Sequence, residues 1–164
     1  MAEDFTLQES IQLAVTTEQL GAEYYERMSK RFEGEKDIAD IFGRLAKDEK
    51  VHEQQFKSIL SDVPKEEDRP KRYELEQFLR ATAISEFFQK DYFKNLEGIN
   101  EARDALARAL NFEKATLQYY QAIGDVLGEH SQLKGIIEAE KNHVIALVKI
   151  IPTDAAFRSL SDRF

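Results

Sequence analysis

The chain contains no cysteine and no tryptophan, and only three prolines and seven glycines among 164 residues. Without cysteine there can be no disulfide, thiolate nucleophile, iron–sulfur cluster or Cys-ligated metal. So few prolines and glycines leave room for long, uninterrupted helices. No apolar run approaches the ~20 residues needed to span a bilayer, so no membrane partner is expected. The formal charge is -8 and no basic cluster stands out, which argues against nucleic acid. Neither a Gly-x-Gly-x-x-Gly stretch nor a Walker-type loop is present to cradle a nucleotide. The N-terminal MAEDFTLQES is acidic and lacks the apolar stretch of a secretory signal, so the expected address is the cytoplasm.

What is present is a globular composition, 33% charged and 42% hydrophobic, in a length that fits one domain over residues 1–164. Four segments carry helical periodicity: about Leu7 to Phe32, about Asp37 to Leu60, about Asn100 to Leu127, and about Ser131 to Ile151. Asp37 is the expected N-cap of the second, Gly128 the stop of the third, and Pro152 the end of the fourth. Residues 61–72, SDVPKEEDRPKR, read as a polar loop. Beyond it, YELEQFLRATAISEFF predicts a shorter helix with Leu75, Phe78, Leu79, Thr82 and Ala83 on one face. The C-terminal Phe157, Leu160 and Phe164 predict a short docking segment. Turns of a few residues make helices 1 and 2, and helices 3 and 4, antiparallel neighbours, whereas roughly 40 residues separate the two hairpins. Two hairpins joined by such a crossover make an all-α, ferritin-like four-helix bundle, here with an extra short helix in the crossover.

The hairpins also resemble each other. TEQLGAEYY and FEKATLQYY both place Tyr-Tyr after a glutamate, and GRLAKDEKVH and GIIEAEKNH both run from Gly to Glu-Lys-x-His, an internal repeat at an offset of about 91–95 residues. Residues three, four and seven apart share a helix face. By that rule Glu18, Glu49, Glu113 and Glu140 each emerge from the middle of an apolar stripe, and His52 and His143 lie one turn beyond Glu49 and Glu140. An unpaired buried carboxylate costs several kcal/mol or takes up a proton. Two divalent metal ions would balance all four carboxylates and leave both imidazoles neutral. One Glu from each of two helices and Glu-x-x-His from the other two is the ligand set of di-iron and di-manganese carboxylate bundles. A single Glu-x-x-His is usually a solvated pair; two of them, with two further mid-stripe glutamates and the crossover, favour a dinuclear site.

Tyr25 and Tyr120 fall two turns beyond Glu18 and Glu113, on the same faces, where they could donate to ligand carboxylates, pass electrons or simply pack. Tyr24 and Tyr119 point elsewhere, as packing or interface residues. Glu53 turns about 100° away from His52 and reads as solvated, as do Glu23 and His130.

The motifs TTEQLGAEYY, KDEKVHEQQF, NFEKATLQYY and EAEKNHV resemble the rubrerythrin and ferritin-like di-iron family across nearly all four long helices, in particular its stand-alone rubrerythrin-like members. The resemblance implies a non-haem di-iron centre that reacts with peroxide or dioxygen. It carries the terminal carboxylates onto Glu18 and Glu113, the bridging carboxylates onto Glu49 and Glu140, and the imidazoles onto His52 and His143. Rubrerythrins proper have a Cys₄ rubredoxin domain; here reduction must come from a separate donor protein or from ferrous iron itself. They also carry a second glutamate one turn after the helix 3 ligand, where this chain has Thr116, so its six-ligand set is closer to bacterioferritin.

These readings converge on an iron-dependent oxidoreductase of peroxidase or ferrous-iron oxidase type, with O₂ or H₂O₂ as oxidant and two iron ions as cofactor. Manganese suits the same donors, and relative affinity favours zinc. An iron-handling protein without turnover and a metal-containing interaction module are the alternatives. Six aromatic residues in Tyr73–Phe93, namely Tyr73, Phe78, Phe87, Phe88, Tyr92 and Phe93, exceed what one crossover helix can bury, which predicts a homodimer.

Overall fold

The first helix starts where the sequence offers a reciprocal cap. Thr6 accepts from the Glu9 amide at 3.1 Å, and Glu9 Oε2 accepts from the Thr6 amide at 2.8 Å. From there α1 runs over Leu7–Arg31. The computed structural model describes residues 5–65, 72–88, 90 and 92–151. After a tight turn α2 covers Lys36–Asp62, α3 Tyr73–Ala83, α4 Ala102–Leu127 and α5 Ser131–Ile150. No strand occurs among the described residues, and no described helix is long and apolar enough to cross a membrane.

The four long helices form the expected bundle: α1 pairs with α2 and α4 with α5, while α2 packs on α5 and α1 on α4. The crossover helix α3 lies on α4 and α1. Gly128, at φ 84°, closes α4 in a conformation that favours glycine. Ser29 Oγ donates to the Ala39 carbonyl at 2.8 Å and fastens the first turn of the hairpin.

Asp37 is not the cap of α2. Glu35 occupies that position without a side-chain bond, and Asp37 lies in the first turn, where its charge still complements the helix dipole. The helix also extends to Asp62, into the stretch expected as loop; residues 66–71 of that stretch are outside the described set. In α3, Leu79, Thr82 and Ala83 turn inward as expected, but Phe78 is 55% exposed. The chain then widens into one π-helical turn, Ile84–Phe88. Phe87 from this turn meets Tyr119 edge-on at 5.0 Å. Tyr92 and Phe93 pack against the Phe112 ring at 5.8 and 5.1 Å. Of the six aromatics, Tyr73 and Phe78 remain on the surface, and the Phe88 ring is outside the described atoms. Phe157, Leu160, Phe164 and Pro152 also lie outside the described residues. Two arginines hold the crossover to the bundle: Arg31 donates to the Leu96 and Ile99 carbonyls, and Arg108 to those of Tyr92 and Lys94.

The apolar interior is split in two. One cluster gathers Leu7, Ile11, Val15, Phe56, Ile59, Ile123 and Ile136; the other gathers Met28, Phe42, Leu45, Leu106, Ala109 and Leu147. Each fully buried Phe, Leu or Ile contributes about 1.5–3 kcal/mol relative to exposure, so both clusters clamp the middle of the bundle.

Candidate metal centre

Between those clusters the stripes of all four long helices turn polar. Glu18 comes from α1, Glu49 and His52 from α2, Glu113 from α4, and Glu140 and His143 from α5. None of the glutamates is more than 1% exposed, and each histidine is 4% exposed. One donor atom from each of Glu18, Glu49, His52 and Glu140 lies within 4.8 Å of every other, and the same is true of Glu49, Glu113, Glu140 and His143. The two groups share Glu49 and Glu140. This is the arrangement two ions would need if both shared carboxylates bridged them.

Both imidazoles face inward through Nδ1. His52 Nδ1 lies 2.7 Å from Glu140 Oε1 and 3.6 Å from Glu18 Oε2. His143 Nδ1 lies 3.3 Å from Glu49 Oε1, 3.3 Å from Glu113 Oε2 and 3.5 Å from Glu140 Oε2. The two rings stack at 5.5 Å.

This concentration of carboxylates distorts proton affinities. Burial, then the charges of Glu18, Glu140 and Glu113, push Glu49 well above the usual carboxylate range. Burial and then Glu140 raise Glu113 to about 8. Burial works against a charged His52, but the nearby Glu140 and Glu18 outweigh it and lift the imidazole to about 10. His143 is raised in the same way, against its burial, by Glu113, Glu140 and Glu49. Burial would raise Glu140 as well, yet its closeness to both histidines holds it below the ordinary value. Protons on these groups offset part of the carboxylate charge.

That offset leaves polar atoms without partners. Glu18 Oε2, Glu49 Oε1, Glu140 Oε1 and His52 Nδ1 are buried and make no hydrogen bond. Glu140 Oε1 and His52 Nδ1 are close but misaligned for donation. Four buried lone-pair donors that converge without bonding one another fit a shared cation, and a carboxylate–imidazole set suits divalent iron or manganese.

Tyrosines from each hairpin reach across to the other. Tyr25 on α1 donates to Glu113 Oε1 on α4, and Tyr120 on α4 donates to Glu18 Oε1 on α1. Burial first, and the neighbouring carboxylates second, keep both phenols protonated. The preceding tyrosines repeat the pattern on backbone: Tyr24 donates to the Ala105 carbonyl at 2.9 Å, and Tyr119 to the Ser10 carbonyl at 2.7 Å. All four pairs obey the sequence repeat, since Ser10, Glu18, Tyr24 and Tyr25 answer to Ala105, Glu113, Tyr119 and Tyr120. Phe42 stacks on Tyr25 at 5.9 Å and Phe56 tilts against Tyr120 at 4.7 Å, closing the two ends.

Thr116 is buried beside the cluster. Its hydroxyl donates to the Glu113 carbonyl at 2.9 Å and lies 3.4 Å from Glu140 Oε2. Its counterpart in the repeat is Gly21, where an added Cβ would stand 3.0 Å from the Phe112 ring and 3.2 Å from Glu49 Oε2. Glu53 is outside the cluster and bonds Gln19 and Lys57. Glu23 is exposed, and His130 is half-buried at the N-terminal end of α5, where its side chain makes no cap bond and its Nε2 lies 3.8 Å from Asp62 Oδ2.

One participant was not singled out in the sequence. Asp48 Oδ2 lies 3.2 Å from Nε2 of His143, the nitrogen that faces away from the cluster. The signal was the residue directly before Glu49, which a helix turns about 100° from the ligand face and here toward α5.

Among family models, the one described as Rubrerythrin matches residues 9–151. Neither curated proteins nor solved structures give a match.

Proposed function

Because the chain belongs to the rubrerythrin family, we propose that it is a non-haem di-iron oxidoreductase acting on peroxide or dioxygen. The observation that carries this reading is the pair of four-residue groups sharing Glu49 and Glu140. Glu18 and His52 would complete one iron position and Glu113 and His143 the other. Two ferrous ions held there supply the two electrons that reduction of hydrogen peroxide to two waters consumes, along with two protons.

The chain's own residues supply the rest. Tyr25 and Tyr120 orient the two outer carboxylates, Glu113 and Glu18, by donating to one oxygen of each. The second oxygen of each faces the cluster: Glu18 Oε2 has no partner, and Glu113 Oε2 meets His143 Nδ1 at 3.3 Å. Phe42, Phe56 and the leucine and isoleucine clusters exclude water from both ends, which strengthens every charge interaction within. The protons held on Glu49, Glu113 and the histidines leave as the ions bind, since ligands must be deprotonated.

Thr116 in place of a further carboxylate favours ferrous-iron oxidation over a dedicated peroxidase, with ferrous iron or a separate donor protein as the source of electrons. The test is anaerobic loading with ferrous iron, then addition of peroxide or oxygen, following near-ultraviolet absorption of the oxidised pair. Two irons per chain, consumption of the oxidant and repeated turnover with added reductant are expected. Fewer than two irons, or two that stay unreactive, would overturn the proposal. A single turnover that leaves the iron in place would favour iron handling without catalysis.

A further inference from the structure

Building on the reading of the cluster as a dinuclear metal site, we infer that its two positions are unequal. Asp48 makes the position formed by Glu49, Glu113, Glu140 and His143 the tighter one, so it fills first.

A neutral imidazole carries one N–H and one lone pair, and whichever nitrogen donates leaves the other to bind metal. His143 has a defined answer. Its Nε2 faces the Asp48 carboxylate at 3.2 Å, so its proton stays there and the Nδ1 lone pair points at the three carboxylates inside. The carboxylate also fixes the plane of the ring and makes the inner nitrogen the stronger donor.

His52 presents the same inner nitrogen to Glu140 and Glu18, but no partner for its Nε2 exists among the described residues. The repeat explains the difference. Asp48-Glu49-x-x-His52 on α2 answers to Ala139-Glu140-x-x-His143 on α5. The position before the bridging glutamate on α2 offers a carboxylate to the histidine of α5. The same position on α5 is a methyl group, which accepts nothing. The halves also differ at Gly21 and Thr116, but it is the difference between Asp48 and Ala139 that bears on a histidine. Asp48 is 44% exposed at its side chain, so it acts from the rim and is not part of the packed core. Through His143 it is a positioning residue.

Removal of such an outer partner lowers metal affinity by about 10–100-fold. The measurement is a titration of the metal-free protein with Co(II) at fixed pH, read by the visible spectrum. The native chain should bind two ions in two resolved steps. Asp48→Ala should weaken the first step by about 10–100-fold and leave the second nearly unchanged, so that the steps merge. Ala139→Asp should strengthen the second step. His52→Ala should keep the tight step and His143→Ala should lose it. At one equivalent of Co(II), proton NMR should show one strongly shifted, slowly exchanging imidazole N–H. Asp48→Ala should lose it to solvent exchange, and Asp48→Asn, whose amide oxygen still accepts, should restore it. Equal steps in the native chain, or Asp48→Ala weakening both steps alike or neither, would overturn the inference while leaving the dinuclear reading intact. Fewer than two cobalt ions bound by the native chain would instead overturn that reading, and the inference with it.

Discussion

Replacing Tyr25 with phenylalanine removes one hydroxyl and keeps the ring that stacks on Phe42. The hydroxyl donates to Glu113, and what that bond is worth depends on whether metal is bound. Without metal, Glu113 is held up at about 8, so at pH 7 the acceptor is a neutral carboxyl. A bond between neutral groups contributes about 1 kcal/mol. With metal bound, Glu113 is ionised, and a hydrogen bond to a charged group contributes about 1.5–3 kcal/mol. The variant should therefore lose about 1 kcal/mol of metal-free stability by urea denaturation. It should also lose a further 0.5–2 kcal/mol, roughly, from metal binding, which is about a 2–30-fold weaker affinity. Tyr24→Phe is the control. Its hydroxyl bonds the Ala105 carbonyl, whose charge does not change, so it should lose similar stability without losing metal affinity. If Tyr25→Phe costs the metal-free protein more than the loaded one, or leaves metal affinity at the native value, the charge-dependent role assigned to Tyr25 is wrong.

Glu49→Ala and Glu140→Ala each remove a carboxylate common to both four-residue groups and should abolish binding of the second metal; near-native uptake of two ions by equilibrium dialysis would refute the bridging roles. The metal-free protein should melt at lower temperature as pH rises from about 6.5 to about 10. Glu113 and His52 are raised from 4.5 to about 8 and from 6.5 to about 10, so both bind protons more tightly folded than unfolded. The stability each contributes is complete below its unfolded value and is lost as pH passes its folded one; a flat or rising melting temperature by circular dichroism would contradict this. Exposure of Tyr73 at 71% and Phe78 at 55% supports a homodimer, so sedimentation equilibrium at low micromolar concentration should give twice 19.0 kDa, and a monomer would refute it.

The bundle was legible because its long helices are spaced by strong signals. Apolar stripes ran through Ile11, Phe42, Leu106 and Ile136, and Gly128 marked a real stop. The cluster was legible for the same reason: a glutamate in mid-stripe has no hydrophobic explanation. What escaped depended on tertiary contact. Phe78 satisfies the periodicity of α3 yet faces outward, because a short crossover helix covers the bundle with only the narrow strip around Leu79, Thr82 and Ala83. Asp37 looks like a cap, but the turn after α1 delivers Glu35 to that position, and periodicity does not locate a cap to the residue. The π-helical turn at Ile84–Phe88 has no marker in composition. Asp48 carries no signal of its partner in the sequence, because that partner, His143, is on another helix and distant in sequence. The sequence marked Tyr25 and Tyr120 as candidate donors to a ligand carboxylate, but not that each would cross to the glutamate of the other hairpin.

Those crossed pairs also bear on how the chain reaches its native state. The four tyrosine bonds join residues separated by 81, 88, 102 and 109 positions. Each hairpin can form from nearby contacts on its own. Neither can satisfy its buried tyrosine hydroxyls or place its own outer carboxylate without the other. Helical bundles fold fast when their contacts are local, and chains whose contacts are distant close more slowly. Docking of two preformed hairpins is then the slow event, with tyrosine fluorescence trailing the appearance of helix in a stopped-flow trace. Until that docking is complete, neither half offers a whole ligand set, so an ion arriving early meets at most one carboxylate pair and one imidazole.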